Sequence, residues 1–252
     1  MPCSAQMRPR ALLVLLLVFS LVWSQLELLR SEWMYVGLGG AGFLAIAAVA
    51  LRLPGPLAVR DLAVVLLVAC LLHQFEAHGL DLSGRRYAFL ASANALLGPA
   101  LGCPLDAACP LTPDAVFWAS TTLGWWPLTL AVVAGPARPF LTVAGAGLLA
   151  TDALAHLAAA AVEADYHPGL LTAVVLLMPL SFFASRALVR DLGASRFQLG
   201  LGLAWGALGL ALVGLGAYAT YAAHALPTFA YPLLLLGWGT LPMAVAPAPV
   251  SG

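Results

Sequence analysis

The chain of 252 residues is 62% hydrophobic and 9% charged, with a formal net charge of zero. Soluble domains carry about 25% charged residues, so water is not the main solvent of this chain. All eleven basic side chains are arginine and no lysine occurs, which leaves no basic stripe for nucleic acid. At about 20 apolar residues per crossing of the hydrocarbon core, the length allows about seven to nine spans and no separate soluble domain.

The first apolar run, Ala11 to Trp23, follows Arg8 and Arg10 and is short. It could be a signal-peptide core, with Val22-Trp23-Ser24 as a tolerable cleavage site, or the first span. Residues 1–30 are therefore read as a first transmembrane helix or signal peptide, and 31–252 as one transmembrane domain. Seven further runs follow at about 33 to 51, 62 to 80, 114 to 134, 140 to 162, 167 to 188, 197 to 222 and 228 to 248, each long enough to cross. The stretch 89–102 is shorter and ends in Gly-Pro-Ala-Leu-Gly; it reads as a re-entrant or interfacial helix. The expected fold is an all-α polytopic bundle of seven or eight spans.

Arginine fixes the direction, because short cytoplasmic loops collect it. With eight spans and the amino terminus inside, the inner segments hold Arg8, Arg10, Arg52, Arg60, Arg138, Arg186, Arg190 and Arg196. The outer ones hold only Arg30, Arg85 and Arg86. Counting 89–102 as a ninth span would move Arg138, Arg186, Arg190 and Arg196 outside. Cleavage of the first run would leave seven spans in the same orientation. Glycine-rich faces at 37–42 and 200–216 read as close helix packing, since no strand alternates with helix to carry a phosphate loop. Cys103 and Cys109 share one short loop, and a local disulfide or two unpaired thiols remain equal alternatives.

The third run ends in an abrupt ionisable cluster, His73-Gln-Phe-Glu76-Ala-His78-Gly-Leu-Asp81. His73 and Glu76 are three apart and share a helix face. His78 lies five residues on, about 140° round, and joins them only if the helix loosens near Gly79. A second cluster, Asp152 and His156, is four apart on a later run, with Glu163, Asp165, Tyr166 and His167 beyond its end. Both runs travel outward, so both clusters sit roughly 10 Å below the outer surface at 1.5 Å per residue.

Acidic and imidazole groups in a membrane face the bundle interior and mark functional sites. This mixture of donors suits zinc or non-haem iron. The expected ligands are His73, Glu76, His156 and Asp152, with weaker claims for His78, Glu163 and His167. Glu76 and Asp152 double as acid or base groups. Buried structural pairs are the alternative reading of the same residues. Ser120, Thr121 and Thr122 either line a pocket or satisfy backbone carbonyls. Arg85, Arg86 and Tyr87 could meet an anionic head group or sit in a solvated loop.

The segments His73-Gln-Phe-Glu76-Ala-His78-Gly-Leu-Asp81, Gly84-Arg-Arg-Tyr87, Asp152-x-x-x-His156 and Tyr166-His-Pro-Gly-Leu-Leu-Thr-Ala173 resemble the HXXEE family of uncharacterised multi-helix membrane proteins over roughly residues 60 to 190. Ala77 stands where that family has a second glutamate, and Asp152 where an asparagine is usual. The resemblance implies a membrane protein with one polar site formed by both clusters. Three functions fit these observations: a metal-dependent enzyme acting on a lipid or other apolar substrate, a proton- or ion-coupled transporter using the same residues as a relay, and a non-catalytic membrane protein. The bilayer is the one partner the composition requires; oligomeric state is not legible in it.

Overall fold

The computed structural model describes residues 30–51, 58–103, 109–134 and 137–244. Among them the chain is all-helical, with eight helices and no strands. They are α1 (Trp33–Leu51), α2 (Val59–Gly79), α3 (Ala88–Ala100), α4 (Pro113–Ala134), α5 (Pro139–Glu163), α6 (Leu170–Arg190), α7 (Arg196–Ala222) and α8 (Ala230–Thr240). Five of these, α2 and α4 to α7, are long and apolar enough to cross a membrane. The expectation of seven or eight spans is thus met for five. The apolar part of α1 described over Trp33–Val49 falls just short, and α8 gives way to a 3-10 turn at Leu241–Ala244. The run at 11–23 lies outside the described residues.

Local sequence sets the helix starts. Thr112 accepts from the Ala115 amide at 3.1 Å ahead of Pro113, and Ser195 and Gln198 exchange hydrogen bonds in a capping box that opens α7. Both devices satisfy amides that a helix leaves unpaired in its first turn. Pro139 opens α5, where its missing N–H costs nothing.

Helix α5 is the hub: its first half, Phe140 to Leu149, is buried continuously and packs against α2, α4, α6 and α7. Its contact with α7 is the closest, because a Cβ at Gly147 would stand 2.3 Å from the Gly202 backbone. Small residues let backbones meet where lipid removes the usual hydrophobic drive. In the 200–216 face Gly202 and Gly206 meet the α5 backbone, while Gly209 and Gly216 make room for the Trp238 and Tyr231 side chains; in 37–42 Gly37 makes room for Trp125. Large apolar side chains turn outward instead, among them Phe43, Ile46, Phe182, Phe183 and Leu208. That inversion fits lipid as the surrounding solvent.

Helices α2 and α5 run side by side in the same direction, with Leu62 and Leu66 in one core with Phe140 and Val143, and His73 level with Asp152 further along. The two ionisable clusters therefore meet. Cys103 and Cys109 form a disulfide, settling in favour of a bridge the alternatives that spacing alone leaves equal. The α2–α3 turn is held by Asp81, which accepts from the Ser83 and Arg85 amides and from the Arg85 guanidinium. Burial pushes its carboxyl up, but those donors and the arginine charge hold it below the ordinary range.

Candidate functional site

Two helices and the connection after the second assemble the site. Helix α2 supplies His73, α5 supplies Asp152 and His156, and the α5–α6 connection folds over them. His73 and His156 are buried, and Asp152 is partly open. The two Nε2 atoms lie 3.2 Å apart, and His73 Nε2 is also 3.2 Å from Asp152 Oδ2. His156 Nε2 is 4.0 Å from Asp152 Oδ1. These three residues form a group that could hold a metal ion, with one donor atom from each within 4.8 Å of the others. Two nitrogens bound to one tetrahedral ion at about 2.0–2.1 Å stand about 3.4 Å apart, close to the observed spacing.

The rear of His73 is held by a hydrogen-bonded chain. His73 Nδ1 is 2.9 Å from Thr172 Oγ1, and that hydroxyl donates to Glu76 Oε2 at 2.5 Å. The hydroxyl has one proton, so its donation to Glu76 leaves it to accept from His73 Nδ1–H. That tautomer frees Nε2 as a lone-pair donor facing Asp152 and His156. His156 lacks such a prop: its Nδ1 is buried and unpartnered. Packing holds it, with the Phe89 and His167 rings 5.6 and 5.2 Å away and Gly169 against its edge.

Glu76, also expected among the ligands, stands outside the group of donor atoms that could surround an ion. Its oxygens accept from the Tyr166 hydroxyl at 2.5 Å, from the Leu171 and Thr172 amides at 3.2 and 2.7 Å, and from the Thr172 hydroxyl. A carboxylate offers about four lone-pair directions, so these four donors take up its capacity. Helical spacing alone gave no sign of this, because the partners come from the α5–α6 connection and the first turn of α6, some ninety residues away. Tyr166, Gly169 and Thr172 are the residues that sequence reasoning left without a role, although all three stand in the quoted Tyr166–Ala173 segment.

Tyr166 lies in the α5–α6 connection, and burial followed by its hydrogen bond to Glu76 pushes its phenol up to about 12. Glu163 and His167, the weaker ligand candidates, are likewise outside the group. They form their own cluster with Ser92 of α3: His167 Nδ1 lies 3.0 Å from Ser92 Oγ and 3.1 Å from Glu163 Oε2, and Ser92 donates to Glu163 Oε1 at 2.5 Å.

The last turn of α2, Phe75–Gly79, is a π-helix. The wider turn is the loosening that His78 required: its ring lies between Trp33 and Phe89, and it lines one chamber of about 120 Å³ with His73, Asp152 and His156. It remains outside the three-residue group. Further π segments adjoin the site at Ala119–Trp125 and Ala173–Leu177, a form frequent at functional sites. Ser120 lines the chamber, whereas Thr121 and Thr122 donate to the Phe117 and Trp118 carbonyls. The chamber continues into an apolar cleft of about 430 Å³ between α3, α5 and α7, sharing Phe89, Asp152 and His156 with it.

Apolar helices around an internal His/Asp/His cluster fit a multi-helix membrane protein. Residues 64–184 match the family model described as "Protein of unknown function with HXXEE motif", so this segment carries the HXXEE family region. No curated protein and no solved structure matches the chain.

Proposed function

We propose that this is an integral membrane enzyme in which a divalent metal, zinc or iron, is held by His73, Asp152 and His156 and acts on a lipid or other apolar substrate. The observation that carries the reading is the juxtaposition of three potential ligand atoms with the inner end of an apolar cleft. Three protein ligands leave a coordination position open for water or substrate, as catalytic sites do. A metal so placed would supply Lewis-acid activation of a bound oxygen. Thr172 and Glu76 position His73, fixing its tautomer from behind as carboxylates commonly do for ligating imidazoles. The arginine distribution favours an amino terminus inside if it is not cleaved, which puts the site near the outer face.

Metal analysis of the purified full chain tests this reading. About one equivalent per chain is expected, falling to near zero in the His73→Ala, His156→Ala double variant. Equal metal content in both would overturn it.

The continuous chain from Tyr166 through Glu76 and Thr172 to His73 favours one second reading, a proton-coupled carrier. It requires flux in proteoliposomes that Glu76→Gln abolishes; flux indifferent to that substitution removes it.

A further inference from the structure

The cleft between α3, α5 and α7 has two unlike ends. Of its lining side chains only Asp152, His156 and His167 are polar. They gather beside Phe89, whose ring lies 5.6 Å from His156 and 5.7 Å from His167. From Phe89 the cleft follows α3 past Ala93, Leu97 and Ala100, eleven residues or about 17 Å at 1.5 Å each. The facing wall on α7, from Leu210 to Leu215, is apolar throughout. Leu97 and Leu215 are also exposed on the outer surface, so the cleft opens sideways where the bilayer would lie.

The polar end is built rather than incidental. His167 is buried, and Glu163 and Ser92 both engage its Nδ1. A carboxylate at Nδ1 holds the proton there, leaving Nε2 as the atom that can accept from a ligand. Beside it stand the partly open Asp152 carboxylate and the buried His156. A ligand filling this space needs a small polar head at one end and an unbranched apolar body along the rest. A volume of about 430 Å³ falls within the 300–1,000 Å³ usual for small-molecule sites and leaves room for one chain rather than a two-chain lipid.

We propose that the cleft binds a single-chain amphiphile that enters laterally from the bilayer, its oxygen-bearing head at Asp152, His156 and His167 and its hydrocarbon chain along α3 and α7. For the head group this rests on the metal reading given above; the seat of the chain stands on the cleft alone.

The test uses the full chain in phosphatidylcholine nanodiscs with a diazirine-bearing palmitic acid as probe, irradiated and mapped by peptide mass spectrometry. Adducts are expected on residues 89–101 and 210–215. Ala211→Trp, which fills the cleft from α7, should cut them about tenfold or more, as overpacking denies the space. Ala155→Trp on the opposite wall repeats the test should the first variant fold poorly. His167→Ala should lower labelling by the acid probe. Phosphatidylcholine carrying the same diazirine chain is expected to label the outward faces of α1 and α6 instead.

Equal cleft labelling by both probes, or labelling unchanged in both tryptophan variants, would overturn the proposal and leave only annular lipid. Cobalt uptake measured on the same preparations separates the two readings. Cobalt bound without cleft labelling removes the chain site and spares the metal. Cleft labelling without cobalt does the reverse.

Discussion

Gly169→Ala places a methyl group where the α5–α6 connection touches both imidazoles. The added Cβ would lie 2.6 Å from His156 Cε1, 2.9 Å from His156 Nδ1 and 2.9 Å from His73 Cε1. None of these atoms ends a flexible chain, so one ring or the loop must move. The backbone there has φ +91°, a left-handed conformation that costs a residue with a side chain about 1–2 kcal/mol. Overpacking a well-filled interior adds about 1–3 kcal/mol, so the expected destabilisation is about 2–5 kcal/mol in all. Gly193→Ala is the control, because φ is +74° and nothing lies within 4 Å of its added Cβ. It should show the backbone cost alone, about 1–2 kcal/mol. Unfolding titrated with SDS in mixed micelles measures both, with cobalt stoichiometry read alongside. Gly169→Ala should be the more destabilised of the two by about 1–3 kcal/mol and should lose cobalt. If the two variants unfold alike and Gly169→Ala retains full cobalt, the placement of Gly169 against the imidazoles is wrong.

Thr172→Val removes the hydroxyl linking His73 to Glu76 while keeping the shape. Affinity for cobalt, measured by competition with a chelator, should fall about 10- to 100-fold, with Thr172→Ser near the parent; an unchanged value contradicts the positioning role. For Tyr166 the phenol stands at about 12 in the folded chain against 10.0 ordinarily, so the folded state holds the proton more tightly. Its contribution to stability is complete below about pH 10 and is lost as pH rises toward 12. Tyr166→Phe should flatten that alkaline loss in unfolding titrations, and an identical profile would refute the assignment. Gly147→Ala should push α5 from α7 and cost about 1–3 kcal/mol in the same titrations, whereas Gly200→Ala, with open space around it, should cost less. Equal costs would show that this contact does not set the helix spacing.

Composition and run length determined the class of fold, because lipid admits only helices or closed barrels, and continuous apolar runs of about 20 residues suit helices. Spacing also placed His73, Asp152 and His156 at a shared depth on two outward-running helices, since rise per residue converts sequence position into depth. It could not say what Glu76 faces. Helical spacing reports which residues share a face, not which loop folds over that face. Tyr166, Leu171 and Thr172 reach Glu76 across about ninety residues, and only the packed bundle brings them there. The π turn at Phe75–Gly79 likewise depends on tertiary packing and decides that His78 lines the chamber. The sequence by itself determined that a polar site lies inside an apolar bundle. Tertiary structure alone decided that three residues could share an ion while the glutamate holds one of them from behind, because hydrogen-bond partners are chosen by proximity in space.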